Sequence, residues 1–193
     1  MISEDQKQDY TISIEKANLY SIVFILPVIF LFGTPYLIRW GWQGIKAGFL
    51  NIAEHPIISL VFFVSLILGI VTHELIHGFV WALKAEKGWQ SIEFGVKWKM
   101  LTPYTHCKVP LTVKDYSLGV IMPGLVIGIL PAIIAIINGS LLLWIFGLLF
   151  TIAAGGDFIA LIMLGKLDSD QLIKDHPEQM GFVIFNDKKG KSE

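Results

Sequence analysis

Four apolar stretches dominate this chain, at about residues 19–38, 57–83, 118–137 and 140–164. Each is long enough to cross a hydrocarbon core of roughly 30 Å, which takes about 20 helical residues. A segment dissolved in lipid must satisfy its own backbone polar groups, so each stretch is expected to be a transmembrane helix. The third and fourth are separated only by Asn138 and Gly139 and are expected to form a tight helical hairpin. Composition agrees: 54% of the residues are apolar, 16% are charged, and the mean hydropathy is +0.64, far from the profile of a soluble domain. The expected fold class is mainly α, a polytopic membrane protein with one domain over 1–193 and a polar tail over 165–193. The first stretch follows a polar, acidic head, MISEDQKQDYTISIEK, and has no small-residue cleavage site after it, so it reads as a retained helix rather than a secretory signal.

With four spans, the amino terminus, the loop from Lys84 to Ser117 and the carboxyl tail share one side. Thirteen of the fifteen Lys and Arg lie on that side, and only Arg39 and Lys46 lie on the other. Because Lys and Arg are retained in the cytoplasm during insertion, both termini are expected there, and the expected location is the inner membrane of a bacterial cell. The net charge of −1 gives no sign of a nucleic-acid partner. The single cysteine, Cys107, has no internal disulfide partner.

The one sizeable region outside the spans, SIEFGVKWKMLTPYTHCKVPLTV, alternates through Ile92, Phe94, Val96, Trp98 and Met100 and breaks at Pro103. A period of two predicts a β-hairpin over about 91–113, with one apolar face lying on the bilayer surface or the helix ends. In the tail, GFVIF is expected to add a strand beside that hairpin.

The second span carries VTHELIH. In H-E-x-x-H on a helix, His73 and His77 share a face and both imidazoles can reach one Zn2+ ion, while Glu74 can act as general base on its water. Random placement gives this pattern about once in 200 such chains, so chance alone is a real competitor. Location argues against it: ionisable residues within a span are costly and usually mark a functional site, and here three fall within five positions. A histidine pair can instead be hydrogen-bonded core, but Glu74 would then also need a buried partner.

A catalytic zinc needs a third protein ligand. The position used for a third histidine in metzincins is Leu83, and neither later span holds a glutamate. The one acidic residue in those spans is Asp157, in TIAAGGDFIALIM. Counted from the cytoplasmic ends of the two spans at 1.5 Å per residue, Asp157 lies about 10 Å deep and the histidines about 9 to 15 Å deep. Ala153, Ala154, Gly155 and Gly156 are small enough to let two membrane helices approach closely. The competing reading has Asp157 bonded to Thr72, Thr151 or another polar group of the bundle.

HELIH in one span and GGDF in a later one resemble the zincin peptidases of a domain-of-unknown-function family, which are similar to site-2 intramembrane metalloproteases. The resemblance implies zinc held by His73, His77 and Asp157, with Glu74 as catalytic base. It also implies that the hairpin offers an edge to an extended membrane-protein or peptide substrate. The chain departs from the site-2 pattern in having Phe158 after the aspartate and no prolines before it, which leaves the substrate groove open. Other readings are a surface-trimming membrane metalloprotease and a non-catalytic protein that binds metal or membrane clients.

His106 and Cys107 are read as loop chemistry rather than ligands, and His55 and His176, each before a proline, as solvated turn residues. Pro123, Gly124, Gly128 and Pro131 are read as kink and packing positions, and Trp40 and Trp42 as boundary aromatics. Oligomeric state is left open.

Overall fold

The computed structural model describes residues 7–98, 102–176 and 179–185. Three of its helices are long and apolar enough to cross a membrane, and a bent pair makes a fourth when it is counted as one span. Side chains along these helices stand open to the surroundings, Ile57 at 68% and Phe63 at 61% exposure among them. A water-soluble surface does not tolerate apolar patches of that extent.

Helix α1 (Ile14–Glu54) starts where Ser13 accepts the Lys16 N–H. It runs well past the expected end near residue 38. Gly41, at φ 62° and ψ −176°, breaks it in a conformation that glycine alone adopts freely, and the chain then turns helical again to Glu54. The boundary signal at Trp40 and Trp42 marks a change of environment, which does not forbid helix beyond it. Trp40 also ties α1 to the hairpin of the later spans. Its Nε1–H donates to Ile136 O at 2.9 Å, beside a Tyr36 hydroxyl that donates to Gly139 O at 2.9 Å.

Helix α2 (Pro56–Lys84) has a proline in its first turn, where the missing N–H costs nothing. The third apolar stretch is α3 (Val113–Pro123), a wide π-helical turn (Gly124–Ile129) and α4 (Leu130–Asn138). Pro131 has no N–H to give to Ile127 O, and the wide turn precedes it. Gly139, at φ 80°, then caps α4, and Ser140 caps α5 (Leu141–Ala153), giving the expected tight hairpin.

The fourth stretch is not one straight helix. It bends by 44° between α5 and α6 (Gly155–Leu164), where Ala154 is followed by two glycines of low helix propensity.

The strands form two antiparallel sheets. In the first, β2 (Ile92–Lys97) pairs with β3 (Thr102–Cys107), Ile92 opposite Cys107. The hairpin is shorter than 91–113, because β4 (Leu111–Thr112) leaves it for the second sheet. It lies against α2, with Phe94 and Ile92 over Gly78, where a larger residue would collide with them. Of the predicted alternation, Met100 falls outside the described residues.

The tail strand also has a different neighbour from the expected one. β6 (Met180–Phe185) pairs with β1 (Lys7–Ile12) on one side and β5 (Leu172–Asp175) on the other, in the order β1-β6-β5-β4. The polar head therefore contributes a strand. The largest buried cluster joins this sheet to the helix ends through Trp81, Tyr116, Leu164, Ile173, Phe182 and Ile184.

Close approach of the third and fourth stretches depends on glycine. A Cβ at Gly128 would stand 2.7 Å from Thr151 Oγ1, so Gly128→Val is expected to lower unfolding free energy in an SDS titration by about 1–3 kcal/mol. At Gly33 the nearest side-chain atoms are 3.7 Å and 3.9 Å away, and Gly33→Val should change it by less than about 0.5 kcal/mol.

Candidate metal centre

One helical turn separates His73 from His77 on α2, so their rings project from one face, and their Nε2 atoms lie 3.2 Å apart. Asp157, in the first turn of α6, closes the group. Its Oδ2 is 3.1 Å from His73 Nε2 and its Oδ1 is 3.5 Å from His77 Nε2. Among the described residues this is the one group of three or more His, Cys, Asp or Glu whose ligand atoms all fall within 4.8 Å of one another.

The orientation of His77 is set from behind. Its Nδ1 lies 2.9 Å from Gly119 O, and a carbonyl only accepts, so Nδ1 carries a proton and the neutral ring offers Nε2 as its ligand atom. Trp81 stacks on the same ring with centroids 5.2 Å apart, donates through Nε1 to Tyr116 O at 3.0 Å, and stacks on Tyr116 at 4.7 Å. Gly119 permits this: a Cβ there would overlap the Trp81 indole. Neither Gly119 nor Trp81 stands out in the sequence, because both act through a packing contact between different spans.

These side chains fit a zinc ion. Tetrahedral zinc with ligands at about 2.0–2.1 Å separates them from one another by about 3.3 Å; the two imidazole nitrogens stand 3.2 Å apart, the Asp157 carboxylate turns one oxygen to each of them, and one ligand atom from each residue falls within 4.8 Å of the others. Two imidazoles and a carboxylate, with lone pairs converging and an Nδ1–H anchored on a carbonyl, form a zinc donor set with its supporting shell.

Glu74 follows His73 and so points about 100° around the helix from it. Its Oε2 is 2.8 Å from the Thr105 hydroxyl, which also lies 2.9 Å from Glu74 O. Thr105 belongs to β3, and the sequence reading missed it. The available signal was the period of two, which puts Pro103, Thr105 and Cys107 on one face of the strand. A cavity of about 280 Å³ lies between this strand and the helices, lined by His73, Glu74, Thr105, Tyr104, Ala153 and Asp157 among others.

The other candidate histidines and the cysteine lie elsewhere. His106 Nδ1 is 3.3 Å from Asp175 Oδ2, and Cys107 is fully buried with its thiol toward Val109 O at 3.4 Å. Burial pushes the Cys107 thiol above its usual range. His55 is exposed, its Nδ1 2.9 Å from Asn51 O. His176 is not the solvated residue expected: its side chain is 10% exposed, accepts the Gln179 N–H and lies 3.8 Å from Asp9 Oδ1. It is held at the end of β5, where its N–H donates to Gly181 O of β6 at 3.0 Å.

A model of the family described as "Putative zincin peptidase" matches residues 66–172, more than half of the chain, a span that contains His73, Glu74, His77 and Asp157. No curated protein and no solved structure matches the chain.

Two outcomes test the site. Purified protein is expected to carry equimolar zinc, and Asp157→Ala to weaken zinc more than the roughly 10- to 100-fold typical of a supporting residue, read by metal analysis after dialysis against a chelator series. Cys107 is expected to resist N-ethylmaleimide in the folded protein and to react once SDS unfolds it, followed by mass spectrometry.

Proposed function

We propose that this chain, which belongs to the "Putative zincin peptidase" family, is a zinc-dependent membrane-embedded endopeptidase of site-2-protease type. Membership of the family points to a metalloprotease with zinc as its metal. The observation that carries the finer reading is the meeting of His73, His77 and Asp157 with Glu74 beside them at a cavity, on helices whose other side chains suit lipid.

Topology supports it. β1 pairs with β6 along its whole length, so the segments before α1 and after α6 lie on one side, and the number of crossings between them is even. Three long helices and the bent pair α5–α6 make four. The lysine distribution supports a cytoplasmic location for the shared side, and the site would then lie in the half of the bilayer nearer to it.

The residues divide the chemistry as follows. Zinc held by His73, His77 and Asp157 would supply a Lewis acid that makes water a nucleophile near neutral pH and polarises the scissile carbonyl. Glu74 takes the proton from the attacking water and passes it to the leaving amine. Thr105 holds the Glu74 carboxyl in place through its hydroxyl. The substrate is a membrane protein or peptide that unwinds locally, because a helix keeps its carbonyls in hydrogen bonds. Once extended it pairs with an edge of the hairpin, which uses main-chain bonds and tolerates many sequences.

Glu74→Gln separates metal binding from chemistry. It is expected to retain zinc and to lose at least about 100-fold in cleavage of a transmembrane reporter, the usual worth of a general acid–base group. Cleavage at the parental rate would refute the mechanism.

A further inference from the structure

Among the described residues, the hairpin borders the cavity beside the candidate metal centre through β3, at Pro103, Tyr104 and Thr105. Along an antiparallel pair, residues alternate between those whose N–H and C=O face the partner strand and those that turn them outward. The Lys108 N–H donates to Ser91 O at 2.8 Å, in the same register as Ile92 opposite Cys107. The bonded pairs are therefore Glu93 with His106, Gly95 with Tyr104 and Lys97 with Thr102. Thr105 and Cys107 turn their N–H and C=O away from β2, and Pro103 has no N–H to offer.

The Cys107 N–H is already taken: it donates to Asp175 Oδ2 at 3.0 Å. Asp175 reaches it from β5, in the other sheet, and is itself held by the Tyr116 hydroxyl on Oδ1 and by His106 Nδ1 at 3.3 Å. Thr105 is left as the β3 residue that presents both halves of an open ladder, and its side chain also holds Glu74. The pairing edge and the general base thus meet in one residue.

We propose that Asp175 is a register stop and so a specificity-determining residue. By holding the Cys107 N–H it ends the open edge of β3 immediately beyond Thr105, so an extended substrate docks in one register relative to Glu74 and is cut at one bond. This rests on the peptidase reading above, since register matters only for a chain that is cut. A substrate strand that advances by two residues keeps the same side chains on the same face and the same pattern of donors and acceptors. Because the substrate is unwound over only a few residues, the same extended residue then lies opposite Cys107 instead of Thr105, and the N–H it needs there is held by Asp175.

The test uses the full-length, zinc-loaded protein in detergent and a synthetic membrane-anchored peptide with one apolar span of about 20 residues, interrupted by Gly and Asn near its lysine-flanked end. Products are mapped by mass spectrometry. The parent is expected to cut one bond, Asp175→Ala to cut a second bond displaced by two residues, and Asp175→Asn, whose amide oxygen still accepts the Cys107 N–H, to keep the single cut. A merely structural role for Asp175 would change the rate without displacing the bond. Cleavage by the parent that Glu74→Gln abolishes upholds the peptidase reading, so an unchanged cut in Asp175→Ala overturns the register stop alone. No cleavage by the parent overturns both.

Should Asp175→Ala fail to fold, amide hydrogen exchange in the zinc-loaded Glu74→Gln protein decides instead. The Cys107 amide is expected to be slow with and without the peptide, while the Thr105 amide slows at least about tenfold when the peptide is added. A Cys107 amide that is fast in the free protein, or that gains protection from the peptide, overturns the proposal.

Discussion

Three ionisable side chains inside an apolar bundle hold one another in place, and the arrangement of the helices around them follows from that need. An imidazole or carboxylate left alone at membrane depth costs several kcal/mol or changes its protonation. His73, His77 and Asp157 lie within hydrogen-bonding or near-bonding distance of each other, which requires α2 and α6 to converge. Convergence in turn needs small residues. Gly119 lets α3 bring a carbonyl to His77, and the glycine pair after Ala154 accompanies the bend between α5 and α6.

The strands serve as a frame for that site. β3 lies against α2 and delivers Thr105 to Glu74, while a ladder of rings runs from His77 through Trp81 and Tyr116 to Phe182 of β6. The four-stranded sheet, built from both ends of the chain, is thereby packed against the residues behind His77. Asp175 ties the two sheets together through Cys107 and His106, and ties them to α3 through Tyr116. A bundle whose outer faces suit lipid is thus anchored by a packed core at one end.

Features governed by local period or length were readable from the residues. α2 agrees with its apolar stretch to within a residue at each end, the turn at Gly139 falls where expected, and counting residues from the span ends put Asp157 at the level of the histidines. Features that depend on one segment finding another were not. β1 is a mostly polar hexapeptide whose alternation is confined to Tyr10 and Ile12, and it pairs along its whole length with β6. GFVIF reads as a strand, but nothing in it distinguishes β1 and β5 from the hairpin as neighbours. The break at Gly41 and the bend at Ala154, which two glycines follow, are made by the backbone, and hydropathy passes over both. Thr105 and Asp175 are ordinary polar residues in short strands, given importance only by what lies opposite them.

Zinc K-edge X-ray absorption on the purified, full-length protein tests the donor set most directly. Two imidazole nitrogens and carboxylate or water oxygens at about 2.0–2.2 Å, with no sulfur, is the spectrum expected of His73, His77 and Asp157. A sulfur shell at about 2.3 Å, or a spectrum without paired imidazole scattering, would contradict it.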